Sequence, residues 1–134
     1  MFFKERWYGF DDGLYAGARL LEILSKVANP NTTLNELPDA GCTPELHIHT
    51  AEGENHALLA QLQKTAQFTG AREVITLDGL RVEYADGFGL ARPSNTTPVI
   101  VLRFEADSEE GLQRIQGDFR RVFHQAAPHL KLPF

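Results

Sequence analysis

The alternation of apolar and polar positions divides the chain into segments of helical and of strand period. Between residues 12 and 26, Leu14, Ala18, Leu21, Ile23 and Leu24 recur near helical spacing. Asp11 or Asp12 is available to cap the first turn, and Lys26 falls in the last turn, where the helix dipole favours a cation. Residues 28–41 then carry Asn29-Pro30-Asn31-Thr32-Thr33 and Pro38-Asp39-Ala40-Gly41, rich in turn formers and poor in apolar side chains, and read as a linker. Strict alternation over residues 45–50 puts Leu46 and Ile48 on one face of a strand and His47 and His49 on the other. Ala57, Leu58, Leu59, Leu62 and Ala66 predict a helix from near Asn55 to before Gly70.

The β-rich runs 73–77 and 80–84 flank Asp78-Gly79, a dipeptide that accepts the backbone angles of a tight hairpin. Residues 88–92 suggest a further short strand, and 98–104 are apolar and β-branched enough for a central buried one. Asp107-Ser108-Glu109-Glu110 supplies a helix start, after which Leu112, Ile115, Phe119, Val122 and Phe123 form one stripe. The order strand, helix, hairpin, strand, helix describes an α+β domain: an antiparallel sheet of about four strands with helices packed on one face.

Composition narrows the function classes. The 134 residues suit one ordinary domain, and 13 Lys+Arg against 18 Asp+Glu, a formal charge of −5, argue against a general partner of nucleic acid or of an anionic membrane. No apolar run approaches the length of a membrane span, and the start of the chain is unlike a signal peptide. The single Cys42 rules out an intrachain disulfide, so the cytoplasm is the expected setting.

Candidate chemistry concentrates between the last two predicted strands, in Gly89-Leu90-Ala91-Arg92-Pro93-Ser94-Asn95-Thr96-Thr97-Pro98. Arg92 offers a guanidinium fork for two phosphate oxygens, while Ser94, Asn95, Thr96 and Thr97 add hydroxyl, carboxamide and N–H donors. The same residue types also make a polar turn that caps its own backbone, and at this level both readings stand. The triplet Asn31-Thr32-Thr33 repeats Asn95-Thr96-Thr97 without an arginine nearby, so the triplet alone carries no information. Both triplets match a glycosylation acceptor pattern, which is discounted without an export signal. His47 and His49 lack an evident third partner for a metal, Cys42 lacks an evident base, and Asp11 and Asp12 suit a helix cap better than a cation.

The run Arg92-Pro93-Ser94-Asn95-Thr96-Thr97-Pro98 closely resembles the phosphate-binding loop in the last domain of the α-D-phosphohexomutases. The resemblance extends to Phe2-Phe3-Lys4-Glu5-Arg6-Trp7-Tyr8-Gly9-Phe10-Asp11-Asp12-Gly13, similar to the end of that family's third domain, and to Leu77-Asp78-Gly79-Leu80-Arg81-Val82 and Val101-Leu102-Arg103-Phe104-Glu105-Ala106, similar to its fourth. Within that family the chain resembles the bacterial phosphomannomutase/phosphoglucomutases. The resemblance implies a four-domain isomerase that interconverts hexose 1-phosphates and 6-phosphates of mannose or glucose through a bisphosphate intermediate, using a phosphoserine and Mg²⁺. No phosphoserine loop, Asp-Gly-Asp-Gly-Asp-Arg metal loop or Gly-Glu-Met-Ser-Gly-His sugar loop occurs in the chain. It therefore resembles a C-terminal piece: residues 1–27 a remnant of the preceding domain, 28–41 a linker, and 42–134 a phosphate-binding domain of TATA-binding-protein-like fold.

The family's substrate-phosphate contacts then fall on Arg92, Ser94, Asn95, Thr96 and Thr97, with no catalytic residue, metal ligand or cofactor in this piece. The implied partners are hexose phosphate, hexose bisphosphate and the remaining domains of the same enzyme. From the residues alone, a regulatory module that binds an anionic metabolite is the alternative.

Overall fold

A computed structural model describes residues 1–37 and 41–134. The chain separates into two compact units, Met1–Asp39 and Ala40–Phe134; residues 38–40 of the expected linker lie outside the described residues.

In the first unit, helix α1 spans Gly13–Leu24. Asp12 is its cap, accepting the Tyr15 N–H at 2.9 Å and the Trp7 indole N–H at 3.0 Å, and these bonds hold its carboxyl below the usual carboxylate range. The Trp7 ring stacks on Tyr15 with centroids 4.4 Å apart. The helix ends before Lys26, whose ammonium reaches back to Glu22. No residue of α1 is buried. A second helix, α2 (Pro30–Asn35), occupies what reads in the sequence as turn-rich chain. The reason is local: Asn29 accepts from the N–H groups of Asn31 and Thr32, and Pro30 at the first helical position loses no needed donor.

The second unit is an α+β domain. Its strands are β1 (Gly41–Cys42), β2 (Leu46–His49), β3 (Glu73–Ile75), β4 (Leu80–Glu83), β5 (Gly87–Pro93) and β6 (Val99–Ala106). They form one antiparallel sheet in the order β1-β6-β5-β4-β3, with β2 also paired to β6. The count exceeds the expected four or so, since a two-residue strand such as β1 has no periodicity to read. β1 and β2 share one edge of β6, facing Glu105–Ala106 and Val99–Leu102 respectively.

Helices α3 (Glu54–Thr65) and α4 (Glu109–Ala126) cover one face of this sheet. Ile48, Leu80, Val82, Ala91, Ile100, Leu102 and Phe104 point into the core from the strands, meeting Leu58, Leu59 and Leu62 of α3 and Ile115, Phe119, Val122 and Phe123 of α4. Each fully buried Leu, Ile or Phe contributes roughly 1.5–3 kcal/mol of transfer free energy. Ser108 caps α4 by accepting the Gly111 N–H, and Glu109 and Glu110 complement the positive end of its dipole. Gly89 is required at the crossing of β5 and α4, because a Cβ there would lie 2.4 Å from the Phe119 ring. After α4 the chain folds back, and Leu130, Leu132 and Phe134 pack against the core. No helix among the described residues is long and apolar enough to cross a membrane.

The alternate residues of β5 and β6, among them Phe88, Leu90, Arg92 and Arg103, occupy the sheet face away from the helices. This alternation puts Arg92 on the face opposite α3 and α4, next to the loop that joins the two longest strands.

Candidate functional site

The β5–β6 connection is residues 94–98, mounted between strands paired from Gly87↔Ala106 to Pro93↔Ile100. The Ser94 N–H donates to the Val99 carbonyl at 2.9 Å, extending the ladder one step, and the Val99 N–H turns back to Thr97 O at 2.8 Å. Inside the turn the Ser94 hydroxyl is the hub. It accepts the N–H groups of Thr96 and Thr97, each at 3.3 Å, and lies 2.9 Å from the Thr97 hydroxyl and 3.4 Å from that of Thr96. Three hydroxyls thus gather at an exposed tip. The capping arrangement anticipated for a polar turn is present, and it coexists with a surface of donors.

Two elements brace the loop from below. Thr50 donates both its N–H and its hydroxyl to Pro98 O at 2.9 Å. Asn55, on the first turn of α3 and only 2% exposed, donates its carboxamide to Ser94 O at 2.9 Å, Val99 O at 3.2 Å and Thr97 O at 3.3 Å. Neither brace was visible in the sequence, where both residues are ordinary polar positions at the ends of elements.

The loop separates two clefts. One, of about 220 Å³, is lined by Arg92, Pro93, Ser94 and Asn95 with Glu45 and Val101. The other, of about 110 Å³, is lined by Ser94, Asn95, Thr96, Thr97 and Pro98 with Glu52, Gly53, Asn55 and His56. Of the five candidate residues, Ser94 and Asn95 face both clefts; Arg92 faces only the first, and Thr96 and Thr97 only the second. A larger cavity of about 530 Å³ lies in the first unit among Phe3, Ala16, Leu20 and Ile23. Its lining is predominantly apolar, with Arg19 its one charged side chain.

Arg92 does not stand free. Its guanidinium pairs with Asp78 at 2.5 Å, both side chains being well exposed at 50% and 69%. The hairpin makes this possible: Leu80 faces Ala91, so the preceding turn lies against Arg92. Gly79, at φ +123°, brings the backbones together where a Cβ would sit 2.4 Å from Ala91 O. Near the second cleft, the Ala51 N–H and, next, the His129 ring hold the Glu54 carboxyl below the usual carboxylate range.

The other candidates lie apart. His47 bonds Glu45 at 2.8 Å on the exposed edge of β2, Cys42 is an exposed thiol on β1, and Asp11 pairs with the terminal ammonium while Asp12 caps α1. Among the described residues no three His, Cys, Asp or Glu side chains gather as a metal site; these residues do not fit the Mg²⁺ that the resemblance implies for the family.

The family model for the phosphoglucomutase/phosphomannomutase C-terminal domain matches residues 45–122, more than half of the chain. The chain belongs to this family. A phosphoglucomutase of Neisseria gonorrhoeae is 58% identical over 134 residues, covering 99% of this chain and 29% of that protein. A phosphomannomutase/phosphoglucomutase of Pseudomonas aeruginosa is 49% identical, covering 100% of this chain and 29% of that protein. Among solved structures, a phosphoglucomutase/phosphomannomutase family protein of Burkholderia thailandensis is 62% identical with a TM-score of 0.86, covering 99% of this chain and 28% of that one. The chain thus spans under a third of the length of these relatives, and the C-terminal domain of the phosphoglucomutase/phosphomannomutase family accounts for its α+β unit.

Proposed function

We propose that residues 42–134 are the substrate-phosphate-binding domain of a phosphohexomutase that interconverts hexose 1-phosphate and 6-phosphate through a bisphosphate intermediate. Residues 1–27 would be the end of the domain before it and 28–41 the hinge. The observation that carries this reading is the braced 94–98 loop beside the Arg92 guanidinium, in a chain of this family. Arg92, Ser94, Asn95, Thr96 and Thr97 would hold the phosphate that is not being transferred. Such a grip aids catalysis by position: it orients the sugar so that the distant reacting phosphate meets the catalytic groups in line, lowering the entropic part of the barrier. A hinged domain also lets the intermediate turn over between half-reactions. The phosphoserine and Mg²⁺ would be supplied by the enzyme's other domains, its partners in the cytoplasm.

Two measurements test this. Titrating the ¹⁵N-labelled chain with glucose 1-phosphate should shift amide signals of residues 92–97; shifts confined elsewhere, or none, would overturn the binding role. The purified chain, given Mg²⁺ and hexose bisphosphate, should not turn glucose 1-phosphate into glucose 6-phosphate, because phosphoryl transfer needs a phosphodonor and a metal, and the phosphoserine and metal loops that would supply them in this reading do not occur in its sequence. Measurable turnover would refute the division of labour.

A further inference from the structure

Asn55 is buried, polar and far in sequence from the loop it touches. It is 2% exposed, and its one NH₂ group lies within 2.9 Å of Ser94 O, 3.2 Å of Val99 O and 3.3 Å of Thr97 O. A carboxamide has two N–H bonds. Three carbonyls therefore share two hydrogens, with the shortest contact to Ser94. Its own carbonyl Oδ1 accepts the His56 N–H at 2.9 Å, so the polar atoms of the side chain are engaged and its rotamer is held.

The bond to Ser94 O has a consequence on the other side of the peptide. The peptide is planar and trans, as no cis bond occurs among the described residues, so a carbonyl drawn inward to Asn55 turns the N–H of Asn95 outward. That N–H has no acceptor among the described residues, whereas the neighbouring N–H groups of Thr96 and Thr97 are occupied by the Ser94 hydroxyl. Asn95 itself is exposed. A backbone donor without a partner among the described residues thus belongs to an exposed residue that lines both clefts.

We infer that Asn55 is a positioning residue for anion recognition: by holding the Ser94 carbonyl inward it presents the Asn95 N–H as a preset donor to a phosphate oxygen. The inference rests on the phosphate-binding reading of the loop. It assigns to a residue of α3, outside the loop, control over the orientation of one of the loop's donors. The orientation is set before ligand arrives, so binding costs no rearrangement of that peptide. Without Asn55 the Ser94–Asn95 peptide could rotate, and the phosphate would have to order it.

The test uses inorganic phosphate and glucose 1-phosphate as probes, with ¹⁵N–¹H spectra of the chain. In the unsubstituted chain, Asn95 should show the largest downfield amide shift of the 94–97 group and gain protection from hydrogen exchange. Asn55→Asp, nearly isosteric but without the donors, and Asn55→Ala should weaken binding roughly 10-fold, the loss of about one charge-assisted hydrogen bond, and shrink the Asn95 shift while signals of α4 stay in place. Gln113→Ala, which removes an exposed side chain of α4 that bonds only Glu109 and has no part in the loop, should leave affinity within about 2-fold.

An unsubstituted chain in which Arg92 and Thr96 respond to phosphate but Asn95 does not would overturn the inference alone, whether or not the Asn55 variants fold. So would folded Asn55 variants that bind as tightly as the parent. A parent chain that binds neither probe would instead overturn the underlying reading, and the inference with it.

Discussion

Asp78→Asn should increase phosphate affinity, although it removes a partner of the very arginine expected to bind. The 2.5 Å pair between Arg92 and Asp78 occupies part of the guanidinium fork, and a phosphate that takes both N–H edges must displace the carboxylate. Both groups are at least half exposed, so the pair is worth only about 0.2–1 kcal/mol. Removing that competitor should therefore tighten binding by about 1.4-fold to 5-fold. Loss of the negative charge acts in the same direction, and the gain should shrink as salt rises. Arg92→Ala, by contrast, should weaken binding by about 10-fold to 100-fold, the value of a charge-assisted hydrogen bond of roughly 1.5–3 kcal/mol. In the Arg92→Ala background, Asp78→Asn should change affinity by less than about 2-fold, because the competition for the guanidinium is gone and only the screened charge effect remains. Calorimetric titration with glucose 1-phosphate, on the four members of this cycle, measures the coupling directly. Weaker binding by Asp78→Asn would refute the competition and make Asp78 an aid to Arg92's orientation. An Arg92→Ala chain that binds like the parent but melts several degrees lower would refute the binding role of Arg92 and leave it a structural residue of the hairpin.

Two further expectations address the scaffold. Gly89→Ala should cost about 1–3 kcal/mol in urea unfolding, the usual range for overpacking, because the new methyl meets the fully buried Phe119 ring at 2.4 Å; unchanged stability would mean that α4 can shift without cost. Burial and then the bond to Asp118 raise the Tyr84 hydroxyl well above the ordinary tyrosine range. A raised value means stability is intact below about pH 10 and is lost as pH climbs through the folded-state value. Tyr84→Phe should flatten this alkaline decline in unfolding free energy between about pH 10 and 12, and an unaltered slope would place its origin elsewhere.

Much of the α+β unit was legible because its signals are local. The stripe from Leu112 to Phe123 reports a helix face whatever it packs on, Asp78-Gly79 reports a turn from backbone preference alone, and alternation along residues 45–50 reports which side of β2 is wet. Local signals have a minimum length. Gly41–Cys42 is too short to show a period, and the α2 residues Pro30–Asn35 look like turn chain because their cap and their apolar poverty suit both states equally. For the candidate site, the sequence supplied the residue types from Arg92 to Thr97 and their position between strands, but not their directions. That Arg92 lies on the face opposite the helices and meets Asp78 follows from the pairing of Leu80 with Ala91. That Ser94 turns its carbonyl toward Asn55, 39 positions earlier, follows from α3 packing beneath the sheet. A chain pattern records which side chains can be wet or dry; which donors converge depends on strand register and helix placement, and these arise only when segments distant in sequence are packed together.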